Sequence, residues 1–336
     1  MKKLKIACIG AGHTHYQGFS EYVQESPYAD LAGVWDADPE KAKAWGEAVG
    51  ARVFASLEEI LEDKSVDGVI VSSAPSLHEE YIIAAAKAGK HIVTEIPLAV
   101  SVEAARRIQA AVKEAGVHFT LSNPVKHAPQ MFAKDLADSG LLGNILNIRA
   151  RFVHDNSLLY EAGQFPAFGY VYDKSLSGGG AMNNVGMHGA ALLYWFLGKP
   201  VSAFGMYTSV TEAAKKDGIE ENAVIVYKFP NQAIGVIETG WVMPRFQSGA
   251  FEVHGTKGSV IVTFDHQVMY NLNDGKGWVT AQQRLMPQGV QHSITYWIEN
   301  VYFDRADTEY NIDDAVILTE MAYAAYASQG REIIFE

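Results

Sequence analysis

The chain contains 336 residues, enough for about two domains of ordinary size. Hydrophobic residues make up 48% and charged residues 20%, a balance that supports packed cores and excludes global disorder. The net charge is -12 and no basic run interrupts the acidic balance, so we expect no nucleic-acid partner. Cys8 is the only cysteine, which excludes an intrachain disulfide and a thiolate-rich metal site, and we expect it to be a small core residue.

The sequence offers no segment typical of a membrane protein. The basic residues 1–5 lead into an apolar run that is too short for a signal peptide. Elsewhere the longest apolar run, residues 190–197, is far shorter than a membrane span. We therefore expect a cytoplasmic, soluble protein with no membrane partner.

Short β-rich runs alternate with helical patterns through the first half of the chain. Strands are predicted at 4–9, 31–36, 68–71, 91–94 and 117–121, and helices at 16–24, 39–49, 78–88 and 102–115. Strands separated by helices indicate right-handed crossovers and a doubly wound parallel sheet. We predict an α/β domain of the Rossmann type at residues 1–122.

The second half has a different pattern, in which strands follow one another across short turns. Strands are predicted at 145–154, 223–229, 233–241, 251–254 and 259–264, and helices at 130–137, 186–197, 293–300 and 313–328. This pattern favours an α+β domain at residues 123–336, with a mainly antiparallel, open sheet and helices on one face.

A glycine-rich segment, residues 10–15 (GAGHTH), follows the first predicted strand and begins the first helix. Gly10 permits a tight turn and Gly12 lets the backbone approach a pyrophosphate at the helix N-terminus, while His15 stands at the third glycine of the usual fingerprint. Asp36 ends the second strand, where a carboxylate binds both ribose hydroxyls and repels a 2′-phosphate. The segment predicts a site for NAD(H) rather than NADP(H). The cofactor contacts expected here are Gly10, Gly12, His13, Thr14, His15 and Asp36.

His13 and His15 can also be interpreted as a metal-binding pair. Two residues apart on a turn, they are poorly placed to share an ion, and the sequence shows no third ligand nearby. The nucleotide interpretation is favoured, and no metal is expected.

Three further segments carry a resemblance to a known family: residues 71–78 (VSSAPSLH), 88–99 (AGKHIVTEIPLA) and 178–188 (GGGAMNNVGMH). Together with residues 251–259, they resemble the glucose-fructose oxidoreductase, inositol dehydrogenase and rhizopine-catabolism (Gfo/Idh/MocA) family. The resemblance implies a dinucleotide domain, a substrate domain, and self-association into a homodimer or homotetramer. It adds cofactor contacts at Ser73, Ala74, Pro75, His78, Glu95 and Ile96.

The chain departs from the family pattern at the residues that handle protons. Ile96 replaces the lysine of the family's E-K-P motif, Asn184 replaces the aspartate of D-x-G-x-H, and Ala191 stands where a later acid often follows. Isoleucine cannot accept a proton, so we expect Ile96 only to line the substrate site. His188 matches the family and is the best candidate for the acid/base; its alternative role is to hydrogen-bond substrate or cap the helix.

Five positions are further candidates near the substrate. Lys126 can replace the missing cation, or it can be a solvated loop lysine. Asn184 can orient a polyhydroxylated ligand but cannot act as a base. Tyr160, in a loop rich in aromatic residues, is an acid or a packing residue, and Trp241 with Arg245 can line a pocket of sugar size.

These residues support two hypotheses. The first is an NAD(H)-dependent oxidoreductase that moves hydride to or from a carbohydrate, polyol or related small metabolite. A variant of it oxidises the substrate transiently, so that the net reaction is an elimination, epimerisation or hydrolysis. The second hypothesis is a non-catalytic protein that senses NAD(H) or a sugar, which would need a pocket but no proton relay.

Overall fold

The computed structural model describes residues 2–13, 15–123, 125–244, 247–306, 310–328 and 330–335. Contacts between residues divide the chain into two compact units. The first unit comprises Met1–Asn123, Ser175–Gly178 and Gln291–Thr319. The second unit comprises Pro124–Lys174, Gly179–Val290 and Glu320–Glu336. No helix in the described part of the chain has the length and apolar character needed to cross a membrane.

The strands form two sheets. In chain order they are β1 (Leu4–Ile9), β2 (Ala29–Trp35), β3 (Gly68–Val71), β4 (His91–Glu95), β5 (Phe119–Ser122), β6 (Ile145–Val153), β7 (Ser202–Thr208), β8 (Asn222–Lys228), β9 (Ile234–Gly240), β10 (Gln247–Gly255), β11 (Ser259–Val262), β12 (Val268–Asn271), β13 (Val279–Thr280) and β14 (Ile333–Ile334).

The helices connect and cover these sheets. In chain order they are α1 (Tyr16–Glu25), α2 (Pro39–Val49), α3 (Leu57–Glu62), α4 (Pro75–Lys87), α5 (Val102–Ala115), α6 (Ala128–Asp138), α7 (Asn156–Glu161), α8 (Lys174–Ser177), α9 (Gly186–Leu197), α10 (Glu212–Asp217), α11 (Ser293–Phe303) and α12 (Ile312–Ser328). Two short 3-10 helices cover Pro166–Tyr172 and Gln283–Leu285.

The first sheet has the order β2-β1-β3-β4-β5, and its strand pairs are parallel. β3 is buried at all four positions, as expected for a strand covered on both faces. The order changes direction between β1 and β3, and this is where a doubly wound sheet binds its ligand. The predicted α/β fold of the first half is confirmed.

Local capping explains why the helices of this unit begin and end where they do. The Asp38 carboxylate accepts hydrogen bonds from the backbone amides of Glu40 and Lys41 at the start of α2. Gly50 ends the same helix with φ +63°, a left-handed conformation that glycine adopts without steric cost. Both signals are visible in the sequence, and α2 spans the predicted residues.

The core of the first unit includes a helix from late in the chain. Ile294, Trp297 and Ile298 of α11 are fully buried and pack in one cluster with the first-sheet residues Ile6 and Ile70. A Cβ on Gly68 would meet the Trp297 ring at 3.0 Å, so the small residue at the start of β3 makes room for the indole. Residues 293–303, which the sequence pattern placed with the second domain, therefore pack in the first unit.

The second sheet has the order β13-β12-β11-β10-β6-β9-β8-β7-β14. Its pairs are antiparallel except for β6 and β9, which run parallel in register from Asn147 with Ile234 to Val153 with Gly240. α9 packs on one face, where a Cβ on Gly189 would meet the Ile237 side chain at 2.7 Å. The mainly antiparallel α+β fold is confirmed, and the parallel central pair is a feature that the sequence pattern did not show.

Candidate active site

The glycine-rich turn after β1 packs closely against the β3–α4 loop. Its positions 10 and 12 have no room for a side chain. Gly10 has φ +84°, and a Cβ there would lie 2.6 Å from the Cβ of Ser73. A Cβ on Gly12 would lie 2.5 Å from the backbone nitrogen of Ala74. The Ser72 hydroxyl donates a 2.7 Å hydrogen bond to the Gly10 carbonyl, which fixes the loop against the turn. The turn is therefore a rigid backbone cradle.

Asp36 holds the same turn from the other side. Its Oδ2 accepts a 2.6 Å hydrogen bond from the backbone amide of Ala11, and its Oδ1 accepts one of 2.8 Å from the amide of Asp38. The carboxylate thus follows β2 at the edge of the glycine-rich turn, where the sequence predicted a ribose-binding acid. Four predicted cofactor residues, Gly10, Gly12, Ser73 and Asp36, are brought together.

His78, at the start of α4, fastens the β3–α4 loop to the end of β4. It is completely buried, and its Nε2 lies 3.1 Å from the Ser73 carbonyl. Its Nδ1 lies 3.0 Å from the Pro97 carbonyl and 3.2 Å from that of Leu98. Burial lowers the pKa of His78, opposed by these carbonyl contacts. The ring is surrounded by backbone, so His78 positions the loop that carries Ala74 and Pro75.

The N-terminus of α1 follows the turn, with His15 at the N-cap. His15 makes no side-chain capping hydrogen bond. The Tyr16 amide donates to the His13 carbonyl at 3.3 Å, while the next amides of the first turn need an acceptor from outside the helix, as at any helix N-terminus. A phosphate group meets that need at the N-terminus of a helix. Together with the cradle at Gly12, these amides fit the pyrophosphate of a dinucleotide. Thr14, also predicted to contact the cofactor, lies outside the described residues.

His15 and Glu95 form an ion pair in this unit. Nδ1 of His15 lies 3.3 Å from Oε1 of Glu95, which is only 3% exposed at the end of β4. The contact with the carboxylate raises the pKa of His15. Burial lowers the pKa of neighbouring His13 to about 4, so its ring is neutral at neutral pH. The expectation that no third ligand lies near the two histidines is wrong, because β4 brings Glu95 to them.

Two other residues singled out in the sequence, Cys8 and Ile96, are buried in this unit. Cys8 is fully buried on β1, and burial raises the pKa of its thiol to about 12, as expected for a core residue. Ile96 follows Glu95 and is 3% exposed. Its side chain supplies apolar surface and no proton acceptor.

The candidate substrate residues of the second unit lie at the start of α9. Between residues 179 and 193 every position is buried except Asn184 and His188, which are half-buried and one helical turn apart. The His188 ring packs at 5.6 Å from the Phe152 ring, between ring centres. The two side chains that the resemblance singled out are therefore the two in this stretch that reach the surface.

Trp241 contacts Asn184 directly, and Tyr160 belongs to the aromatic cluster that packs around Trp241. The indole Nε1 of Trp241 donates a 3.3 Å hydrogen bond to Oδ1 of Asn184, although Trp241 is fully buried. The Tyr160 ring lies 5.1 Å from Tyr172, whose ring is 6.5 Å from Trp241. The hydroxyl of Tyr172 donates to the Glu221 carboxylate and lies 2.7 Å from the Ser157 hydroxyl, and burial raises the Tyr172 pKa strongly. Tyr172 is therefore a packing residue.

The remaining predicted residues are placed less favourably. The Lys126 ammonium lies 5.7 Å from the centre of the Trp195 ring, which is two turns beyond His188 along α9. Its role as a replacement cation stays a prediction. Arg245 lies outside the described residues.

Sequence reasoning missed the group that holds the segment before α9. The buried Glu220 carboxylate accepts hydrogen bonds from the backbone amides of Gly180 at 3.1 Å and Met182 at 3.0 Å. The Tyr326 hydroxyl donates to Glu220 at 2.6 Å and accepts from the amides of Gly180 and Asn183. Gly180 must be small, because a Cβ there would lie 2.1 Å from the Glu220 carbonyl oxygen. The glycine run was the one visible signal for this arrangement.

His154, directly after β6, was also missed. It is 5% exposed, and burial lowers its pKa to about 4. Its Nδ1 accepts a 3.2 Å hydrogen bond from the amide of Asn156, and its ring packs edge-on against Phe168. Phe168 in turn contacts Trp241, with ring centres 5.1 Å apart. His154 therefore belongs to the aromatic packing behind Asn184.

Comparisons with known proteins agree with a nucleotide-binding first unit followed by a second domain of the same family. Residues 4–122 match a family described as "Oxidoreductase family, NAD-binding Rossmann fold", and residues 131–261 match the "GFO/IDH/MocA C-terminal domain". The chain therefore belongs to the Gfo/Idh/MocA family of oxidoreductases. Its first unit is an NAD-binding Rossmann domain, and its cofactor is NAD.

Individual relatives support the same assignment. The 1,5-anhydro-D-fructose reductase of Ensifer adhaerens is 31% identical over 237 residues, 69% of this chain and 68% of that protein. The levoglucosan dehydrogenase of Pseudarthrobacter phenanthrenivorans is 27% identical over 297 residues, 80% of this chain and 75% of that protein. A solved structure of levoglucosan dehydrogenase with NADH and levoglucosan has a TM-score of 0.87 at 19% identity, covering 99% of both chains, and shows the shared fold.

Proposed function

We propose that this protein oxidises or reduces a carbohydrate, a polyol or a related small metabolite, with His188 as the acid/base. The observation that carries the proposal is the exposure pattern at the start of α9. Asn184 and His188 alone reach the surface between residues 179 and 193, in a segment otherwise buried. The relatives named for 1,5-anhydro-D-fructose and levoglucosan support a hydroxylated carbohydrate as substrate.

The chemistry assigned to each side chain follows from its functional group. NAD supplies the hydride acceptor or donor at the nicotinamide ring. The imidazole of His188 exchanges the substrate's hydroxyl proton, since imidazole can gain or lose a proton near neutral pH. Asn184 directs its amide hydrogens to a substrate oxygen, because Trp241 already occupies its Oδ1. Ile96 excludes water beside Glu95, and Lys126 offers a positive charge that the motif position lacks.

The test follows nicotinamide oxidation and reduction by the purified protein against 1,5-anhydro-D-fructose, levoglucosan, inositols and their keto forms. Wild type, His188→Ala and Ile96→Lys are compared, with His254→Ala, a histidine on β10 of the second sheet, as the control. We expect turnover in wild type and in His254→Ala, and a loss of about 100-fold or more in His188→Ala. Unchanged turnover in His188→Ala would show that another group carries the proton.

A second candidate function is a binding protein that senses NAD(H) or a sugar. The buried, apolar Ile96 favours it, since a binding module needs no cation at this position. Its signature would be tight NADH binding, strengthened by a sugar, with no nicotinamide turnover across the whole panel. A transient oxidation would instead change the substrate without net NADH accumulation, which chromatography of the substrate detects.

We further propose that the open face of the second sheet joins two or more copies of the chain. Met206 on β7 and Val224 on β8 are paired across the strands and are 64% and 42% exposed. Large exposed apolar side chains in adjacent strands are typical of a surface that another chain covers. Light scattering should show a dimer or tetramer that Met206→Asp with Val224→Asp converts to a monomer. Leu285→Asp, an exposed apolar residue outside the sheet, is the control.

We also propose that the protein works in the cytoplasm. Its single thiol, Cys8, is buried and unpaired by any disulfide, and its cofactor is NAD. Fractionation of cells that produce the chain with an epitope tag would test this location.

A further inference from the structure

Two buried carboxylates stand side by side in the chain just before β8. Glu220 is 9% exposed and Glu221 is fully buried. A buried carboxylate is costly unless donors surround it. Glu221 accepts from the Thr211 hydroxyl at 2.7 Å and from the Tyr172 hydroxyl at 2.9 Å, and Tyr172 belongs to the aromatic cluster around Trp241. The partners of Glu220 lie instead in the segment that leads to Asn184.

The donors to the Glu220 carboxylate come from the segment before α9 and from α12. Its Oε2 accepts a hydrogen bond from the Gly180 amide at 3.1 Å. Its Oε1 accepts from the Met182 amide at 3.0 Å and from the Tyr326 hydroxyl at 2.6 Å. These partners are all donors, which suits an ionised carboxylate, because that group only accepts. A glutamine here would place its own NH₂ group against one of these donors.

The Tyr326 hydroxyl extends this network to the residue directly before Asn184. Its oxygen accepts hydrogen bonds from the amides of Gly180 and Asn183, each at 3.1 Å. A Cβ on Gly179 would lie 2.5 Å from the same oxygen, so the segment passes close against it. Glu220 and Tyr326 together hold the backbone up to the position where Asn184 begins.

The backbone of residues 220 and 221 anchors both partners of the bond between Asn184 and Trp241. The Glu220 carbonyl accepts from the Ala181 amide at 2.9 Å, and the Glu221 carbonyl accepts from the Trp241 amide at 2.8 Å. The Trp241 indole then donates to Oδ1 of Asn184 at 3.3 Å. The segment that carries Asn184 and the residue that orients it are thus fixed to one pair of neighbouring residues.

We propose that Glu220 and Tyr326 are positioning residues for the substrate site, which hold Asn184 against the Trp241 indole so that its amide hydrogens point to a substrate oxygen. This role rests on the proposed function, in which Asn184 binds substrate. The two side chains act through the backbone up to Asn183 and not by contact with substrate. A side chain that is held in place before binding loses less conformational entropy when the substrate arrives.

Tyr326→Phe tests this role, because it removes the hydroxyl and keeps the ring that packs 5.4 Å from Tyr207 between ring centres. KM should rise about 5-fold or more for whichever of 1,5-anhydro-D-fructose, levoglucosan and the inositols the wild type turns over. The value of kcat should stay within about twofold, because Asn184 binds substrate and transition state alike and His188 is unchanged. A merely structural role would lower the free energy of unfolding and leave KM as it is.

A second readout needs no turnover. The chain has 6 tryptophans, and the indole N–H signal of Trp241 in a ¹⁵N-correlated NMR spectrum is identified by its loss in Trp241→Phe. Asn184→Ala gives the position of that signal without the hydrogen bond. Tyr326→Phe and Glu220→Gln should both move the signal from its wild-type position towards its position in Asn184→Ala. Tyr326→Phe changes one oxygen and should fold, which keeps the test valid if Glu220→Gln does not.

Tyr227→Phe is the matched control. Tyr227 is fully buried, and its hydroxyl donates to the Met321 carbonyl of α12 at 2.9 Å. The variant therefore loses a buried hydroxyl, as Tyr326→Phe does, without removing a bond to the segment before α9. It should keep the wild-type KM and the wild-type Trp241 indole signal, whatever stability it loses.

Three results would overturn the proposal: an unchanged Trp241 indole signal in Tyr326→Phe, an equal shift in Tyr227→Phe, or a fall in kcat without a rise in KM. If the wild type turns over no compound of the panel, the proposed function fails. The indole signal would then still decide whether Glu220 and Tyr326 position Asn184, so the two failures are distinguishable.

Discussion

The indole Nε1 of Trp241 donates a hydrogen bond to Oδ1 of Asn184 across 3.3 Å. Trp241, directly after β9, is fully buried, and Phe168 packs against its ring with the centres 5.1 Å apart. The bond fixes which way the Asn184 amide points, since its oxygen is occupied and its NH₂ group faces elsewhere. An aspartate here could accept the same bond but would present a second acceptor in place of the donors.

Trp241→Phe should therefore weaken substrate binding without touching the nucleotide site. Loss of one neutral hydrogen bond costs about 0.5–1.5 kcal/mol, so KM should rise about 2- to 10-fold. The NADH dissociation constant, measured by fluorescence titration, should not change.

A double-mutant comparison controls this prediction. Asn184→Ala should raise KM similarly, and adding Trp241→Phe to it should have little further effect, because the shared bond is already lost. Fully additive changes in KM would mean that the Trp241 indole acts through packing alone.

Asp36→Ala should weaken NADH binding by about 1–3 kcal/mol, through loss of charge-assisted hydrogen bonds to the ribose. It also removes the 2.6 Å bond that holds the Ala11 amide, so the glycine-rich turn loses an anchor. Asp30→Ala makes the same change of charge at an exposed residue of β2 paired with Lys3, and should leave affinity unchanged. Equal affinity in wild type and Asp36→Ala would place the ribose elsewhere.

Much of the fold could be predicted because its signals are local. β1, β3, α2, α5 and α9 have the bounds that the sequence predicted, since each combines a continuous apolar run or a periodic apolar pattern with capping or turn residues nearby. β7 was missed because its alternating pattern includes Gly205, and the two-residue strands β13 and β14 are too short to show any pattern.

The candidate site could be predicted only where its residues lie close together in the sequence. Gly10, Gly12 and Asp36 follow from the order of strand, turn and strand. His15 and Glu95, however, are 80 residues apart, and Glu220 and Tyr326 are 106 apart. Contacts over such separations depend on the register of strands and the docking of helices, which no local pattern specifies.

Gly12→Ala should disrupt the nucleotide site by overpacking. The new methyl group would lie 2.5 Å from the backbone nitrogen of Ala74, so the turn and the β3–α4 loop must separate. Such strain typically costs about 1–3 kcal/mol, and we expect lower thermal stability together with weaker NADH binding.

Gly18→Ala is the matched control, because a Cβ at Gly18 meets nothing within 4 Å. Gly18 lies within α1, where alanine should stabilise the fold by about 0.5–1 kcal/mol. NADH affinity should stay at the wild-type value. If Gly12→Ala binds NADH as well as Gly18→Ala does, the cradle has been misplaced.

Folding stability should fall on acidification because His154 is buried. Its pKa is about 4 in the folded protein and 6.5 ordinarily, so between these values the unfolded chain binds a proton that the folded chain does not. The contribution of His154 is therefore fully present above pH 6.5 and declines as the pH falls towards 4, by about 3 kcal/mol in total.

His154→Gln isolates this contribution, since glutamine does not titrate and its side-chain oxygen can accept the bond from the Asn156 amide. Unfolding by denaturant, measured at several values between pH 4.5 and 7, should give a free energy that declines less steeply on acidification in His154→Gln than in wild type. Carboxylates that titrate in the same range affect both proteins equally and cancel in the difference. Parallel curves for the two proteins would mean that the buried ring takes up its proton as readily as it does in the unfolded chain.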